Sequence, residues 1–117
     1  MSNEMKTHRL IVFTEPVLGR EDEYNQWYDD VHLREVLEVE GFVAAQRFKL
    51  ADAQMTGMDS GAPARYMAIY EIEGDHVEEI LAKLASGAET MQMSDALEVN
   101  AAKAFAFTAI GERLKSV

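Results

Sequence analysis

Cysteine is absent from this 117-residue chain, which excludes a disulfide framework, a thiolate nucleophile and Cys-rich structural zinc. That composition suits a reducing compartment, so a cytoplasmic location is expected. Long apolar runs are also missing. No stretch approaches the ~20 residues of a membrane span, and the opening MSNEMKTHRL lacks the apolar core of roughly 7–15 residues that an export signal needs. Bases are scarce: 11 stand against 21 acids, a formal charge of −10. No basic stripe offsets this, so phosphate backbones and anionic lipid are repelled, and neither nucleic acid nor membrane is an expected partner. Gly57 and Gly61 fit neither GxGxxG nor a P-loop, and GxSxG is absent, which removes support for a nucleotide cofactor and for that class of serine hydrolase. His8, His32 and His76 are far apart and form no HxxxH or HExxH pair. No metal and no cofactor is expected.

What is present is an apolar content of 48%, enough for a globular core in one domain over residues 1–117, yet small enough that self-association would help to cover the surface. HRLIVFTE, from His8 to Glu15, is rich in β-branched and aromatic residues and closed by Pro16, which predicts a first strand. Glu21, Asp22 and Glu23 place negative charge where a helix begins, and Tyr24, Trp27, Tyr28 and Val31 share one helical side. The stripe drifts after His32, so a kink is expected near Leu33. Gly41 closes this helix and FVAAQRFKL opens the second strand. ADAQMTGMDSGAP, residues 51–63, reads as an exposed loop.

RYMAIYEIEG then predicts a third strand with Tyr66, Ala68, Tyr70 and Ile72 on one face. Asp75 with Glu78 has the spacing of a capping box, and Val77, Ile80, Leu81 and Leu84 make a helical stripe that stops at Gly87. ETMQMSDALEVNAAK is mostly irregular, with a turn started by Ser94, and AFAFTAIGERL ends the chain as a fourth strand. The order βαββαβ is the α+β ferredoxin-like arrangement, a four-stranded antiparallel sheet with both helices on one face. Leu10 and Val12 against Ile11 and Phe13, with similar pairs in strands three and four, make the sheet apolar on both sides. A half-solvated sheet would not be, so a homodimer formed by pairing two sheets is expected.

The segment WYDDVHLREVLEVEGF, Trp27 to Phe42, with AAQRFKL after it and YMAIYEIE from Tyr66 to Glu73, resembles the EthD-like group of the dimeric α+β barrel superfamily. The aromatic helix running into a histidine, the HxxEVL turn and the GF that opens the next strand carry the resemblance. Where that group often has HxP, this chain has His32-Leu33-Arg34. The resemblance implies a ferredoxin-like protomer, a homodimer, and a small-molecule cleft between helices and sheet. The superfamily includes cofactor-independent oxygenases, decarboxylases, dehydratases and cyclases, so the site must choose among them.

An imidazole titrates near neutrality, and Asp29, three residues before His32, has the spacing to orient it for acid/base work; a hydrogen-bonded structural histidine is the competing reading. Tyr28 either orients a substrate oxygen or caps the core with its hydroxyl. Trp27 offers a flat wall for a ring-shaped ligand, or packs against the sheet. Tyr66 and Tyr70 line either the cleft or the dimer core, and Arg47 either anchors an anionic ligand or makes a surface ion pair. His8 and His76 read as solvent-facing, and Met55, Met58, Met91 and Met93 as plugs or adaptable walls. The expected function is a small cofactor-independent lyase, isomerase, cyclase or oxygenase using His32 on an aromatic or polyketide-like substrate. The alternatives are a non-catalytic carrier of a hydrophobic metabolite and an interaction module without a ligand.

Overall fold

Strand β1, Thr7–Thr14, is one of two interior strands of a four-stranded sheet and is paired along both of its edges. The computed structural model describes residues 6–57 and 61–117. Met1 to Met5, the Met58–Ser60 part of the expected loop, and the role considered for Met58 lie outside the described residues. The other strands are β2 (Phe42–Lys49), β3 (Tyr66–Glu73) and β4 (Lys103–Thr108). Their order is β2-β3-β1-β4 with every pair antiparallel. The helical elements are α1 (Glu21–Trp27), a π-helical turn (Tyr28–His32), α2 (Leu33–Leu37), α3 (Val77–Ala88) and a 3₁₀ turn at Val99–Ala101. This is the ferredoxin-like α+β fold that the element order predicts.

The break expected near Leu33 is the π turn. It is one turn of wider winding, which resets the side that faces the sheet, so Tyr24, Trp27, Tyr28 and Val36 are all buried despite their imperfect α-helical spacing. Acids at Glu21, Asp22 and Glu23 occupy the first turn of α1, as its dipole favours.

A second irregularity lies in β2, whose register shifts between Phe42 and Ala44. Phe42 opposes Ile72 on the helix side of the sheet; past the extra residue, Ala45, Arg47 and Lys49 oppose Tyr70, Ala68 and Tyr66 on that same side. One inserted residue therefore reverses the facing of the rest of the strand and turns Arg47 toward the helices.

The helix side holds the core, where Leu10, Tyr66, Ala68, Tyr70 and Ile72 from the strands meet the aromatics of α1 and Ile80 of α3. The outer side carries two apolar rows: Phe48, Met67 and Phe13, then Ile69, Ile11 and Phe105. Phe48, Phe105 and Phe107 are 39, 49 and 58% exposed, so this oily face is uncovered in the protomer.

Several details differ from the sequence reading, among them the bounds of β1, expected from His8 to Glu15. The position before α3 is His76 rather than Asp75 and caps with no side chain; its carbonyl accepts from the Glu79 and Ile80 amides instead. The α3 helix continues one residue past Gly87. The fourth strand ends at Thr108, six residues before Leu114, where β1 runs out of partners. His8 is not at the surface but 2% exposed, because even-numbered residues of β1 face the core. Its Nε2 lies 3.0 Å from the Gly74 carbonyl and its Nδ1 2.9 Å from the Thr108 hydroxyl. A carbonyl only accepts, so Nε2 carries the hydrogen. His76 is exposed, as expected.

Gly41, between α2 and β2, has φ +103°, and a Cβ there would lie 2.7 Å from Ile80 Cδ1. Both the backbone and the packing require glycine. Gly41→Ala is expected to cost about 2–4 kcal/mol by chemical denaturation, from backbone strain plus overlap. In an Ile80→Ala background the same substitution costs less, since the overlap part disappears while the strain remains.

Candidate functional site

The aromatics of α1 and the π turn form a continuous layer against β3. Ring centroids of Tyr66 and Tyr24 are 5.2 Å apart, Tyr24 and Tyr28 5.7 Å, and Tyr28 and Trp27 5.2 Å, all edge to face. The layer ends at His32, whose ring stacks on Trp27 at 4.8 Å and 22° and meets the edge of Tyr28 at 5.1 Å. The π turn creates this meeting, because it holds residues 27, 28 and 32 on one side.

His32 is half-buried, and its Nδ1 is sealed from solvent without a hydrogen-bond partner. Burial pushes its pKa below the ordinary 6.5, and the negative charge of Glu35 only partly opposes this. The imidazole is therefore held neutral. Asp29, the expected orienting carboxylate, does not serve His32: the π winding changes the i, i+3 relation, and Asp29 instead accepts from Arg47 at 3.0 Å. Glu35 is itself engaged, accepting from the Gln92 amide at 3.0 Å.

The phenols divide into satisfied and unsatisfied groups. Tyr24 shares a short hydrogen bond with the Thr14 hydroxyl, and Tyr66 donates to Glu21. That bond from Tyr66 holds the Glu21 carboxyl below its usual range. The Tyr70 hydroxyl is buried with no hydrogen bond, near enough to the Tyr28 phenol for each to influence the other's ionisation but not in bonding geometry. Burial raises the pKa of Tyr24, Tyr28 and Tyr70 alike, so all three stay protonated near neutrality.

Arg47 is more than a surface ion pair. Its side chain is only 11% exposed, its guanidinium lies 4.5 Å from the Tyr28 ring centroid and within 5.4 Å of those of Tyr24 and Tyr66, and it donates to Asn25 at 2.9 Å as well as to Asp29. Planar guanidinium stacks on rings in a way that ammonium does not. Asp29, Arg47, Phe48, Lys49 and Tyr66 border a small cleft of about 270 Å³.

The structure thus brings His32, Trp27 and Tyr28 into direct contact and links Tyr28 to both Tyr70 and Arg47. Tyr66 sits at the opposite end of the layer from His32. Tyr66 and Tyr70 both face the helices, so neither lies on the outer sheet face. Trp27 donates its indole N–H to the Gln92 carbonyl at 2.8 Å and also lines a cleft of about 480 Å³ with Gln26, Asp30, Met93 and Asp95. Met91 packs on the core, whereas Met55 and Met93 are exposed. Sequence reasoning missed Asn25, Gln92 and the bond from the Gln92 amide to Glu35. Their roles depend on long-range contacts, and only the helical spacing of Glu35 from His32 hinted at any of them.

Two outcomes follow from the orphaned groups. Tyr70→Phe, which deletes an unpaired buried hydroxyl, is expected to leave stability unchanged or raise it by about 1 kcal/mol in chemical denaturation. Because the folded His32 pKa is lowered, the unfolded state binds more protons as pH falls through about 6.5, and stability declines with acidification. His32→Gln should flatten that decline below about pH 6.5.

No protein-family model and no curated protein sequence matches the chain. Among solved structures, that of a "putative monooxygenase" from Shewanella loihica PV-4 superposes with a TM-score of 0.58 over 92% of this chain and 98% of the other, at 10% identity. At that identity the two share a fold, and the ferredoxin-like architecture of this chain is thereby matched along nearly its whole length.

Proposed function

We propose that this protein is a small enzyme, of the EthD-like kind that its helix-one signature resembles, in which neutral His32 exchanges a proton with an aromatic or polyketide-like substrate. The observation that carries this reading is the sealed, unpartnered Nδ1 of His32 on an aromatic wall. Leaving a buried polar atom unmade costs about 1–3 kcal/mol, and such atoms call for an explanation in use. With its hydrogen on Nε2, the ring offers Nδ1 as a lone pair that is unprotonated at neutral pH; burial weakens it as a base, and the negative charge of Glu35 partly restores its strength for proton transfer.

Trp27 joins this base to the outside, since it both stacks on His32 and lines the cleft beside Gln92 to Asp95. A flat substrate entering there replaces stacking with stacking. The Tyr28 and Tyr70 phenols, protonated at neutral pH, are suited to donate to an oxygen that gains charge as the proton leaves. Arg47 supports Tyr28 from its other contacts and adds positive charge for an anionic group. Decarboxylation, dehydration, isomerisation and ring closure can each use such a proton transfer. Cofactor-independent oxygenation also begins with it, the carbanion or phenolate then passing electrons to dioxygen, and the description of the structural neighbour is in keeping with that branch. The reaction is read as running without metal or organic cofactor. The oily outer face of the sheet supports a homodimer, with a second copy laid on rows Phe48–Met67–Phe13 and Ile69–Ile11–Phe105.

The second reading is a non-catalytic carrier; Tyr28 and Tyr70, 2 and 1% exposed, already fill the space between helix and sheet, which favours instead an interaction module that shows neither stabilisation nor product. His32→Ala separates the two readings. In a panel of aromatic acids and polyketide-like phenols, monitored by melting shift and product mass, the enzyme loses about 10²–10⁴-fold in turnover while ligand-induced stabilisation persists. A carrier shows stabilisation of about 2.7 kcal/mol at a hundredfold excess over Kd, without product from either form.

A further inference from the structure

The chain leaves the sheet abruptly at its C-terminal end. Ala109 donates a last backbone bond to the Thr7 carbonyl at 2.9 Å, and residues 110–117 then run without helix or strand and without a hydrogen bond or ion pair to the described residues. Ile110, Leu114 and Val117 are 102, 87 and 128% exposed. Every large aliphatic group in that segment therefore stands in water, and the segment follows directly on the exposed Phe105 and Phe107, so these groups extend a contiguous apolar patch of the kind that marks an interaction site.

Three features say what covers it. First, β4 presents Phe105 and Phe107 on the outer side of the sheet and runs directly into the segment, so its apolar groups continue the uncovered face. Second, Arg113 and Lys115 outweigh Glu112, which makes the segment basic in a chain of formal charge −10; it is complementary to the body of this same protein. Third, Gly111 and Arg113 border a cleft of about 490 Å³ together with Arg9, Glu71, Glu73 and Phe107. Arg9, Glu71 and Phe107 share one cross-strand row of the outer side. The gap thus opens between the segment and the end of the outer face, where a second sheet laid on that face would reach.

We propose that residues 110–117 form an arm that crosses onto a second copy of this chain, with Ile110 and Leu114 packed on the partner and the gap beneath the arm filled by it. Twofold symmetry supplies the reciprocal arm, so each protomer is clasped at both ends of the shared interface. This rests on the homodimer reading and adds a specific element to it. The arm converts a face-to-face contact into an interlocked one, and it places its basic pair over acidic surface of the other protomer.

The absence of cysteine makes the test direct. Leu114→Cys, labelled with a benzophenone maleimide and irradiated, is expected to give covalent dimers, verified by mass spectrometry as joining two chains. Ile110→Asp with Leu114→Asp in the full chain is expected to raise the dimer dissociation constant at least tenfold by sedimentation equilibrium. Both positions are solvent-exposed in the protomer, so circular dichroism should show an unchanged fold. Cross-links confined within one chain, or an unaltered dissociation constant in the double variant, overturn the arm while leaving the homodimer standing. A wild-type chain that sediments as a monomer at micromolar concentration overturns both.

Discussion

Burying a layer of tyrosines between one helical segment and a sheet imposes the condition that shapes the rest of this molecule. Each ring brings a large apolar area into the core and a polar tip that needs a partner. Tyr24 and Tyr66 find theirs in Thr14 and Glu21. The Tyr70 hydroxyl and His32 Nδ1 do not. The region around Tyr28 is consequently the place where the fold retains polar atoms that contribute nothing to its stability, and that is where the chemistry is assigned.

Two local irregularities produce this arrangement. The π turn at Tyr28–His32 lets Trp27, Tyr28 and His32 converge, which regular α-helical winding would not do while also burying Val36. The shift between Phe42 and Ala44 turns Arg47 inward, so that its guanidinium covers the rings from the strand side. Each irregularity departs from ideal geometry and sits beside the candidate site. Such departures are maintained where surrounding packing over-determines them.

Much of the fold was legible because its signals are local and periodic. The alternation in YMAIYEIE identified the buried face of β3, and the drift after His32 located the π turn to within a few residues. The two-sided apolar character of β1 and β3 likewise corresponds to the uncovered outer face. Other features depend on partners distant in sequence. His8 looked like a strand-start surface residue, yet its neighbours Gly74 and Thr108 are 66 and 100 residues away. The end of β4 at Thr108 is set by where β1 ceases to pair, not by the composition of AFAFTAIGERL. Arg47 could not be assigned to a face because one added residue in β2 reverses the alternation. For His32, α-helical spacing pointed to Asp29, and only the π winding together with the Arg47 contact removes that carboxylate from it.

The account stands or falls on the state of one imidazole ring. Nitrogen-15 chemical shifts of His32, recorded between about pH 5 and 8 in uniformly labelled protein, report its charge and the engagement of each nitrogen. The structure predicts a neutral ring that titrates below the ordinary histidine value, with a shift at Nδ1 typical of a free lone pair. A ring that is protonated near pH 7, or an Nδ1 shift that reveals a tight hydrogen bond in the free protein, would contradict it.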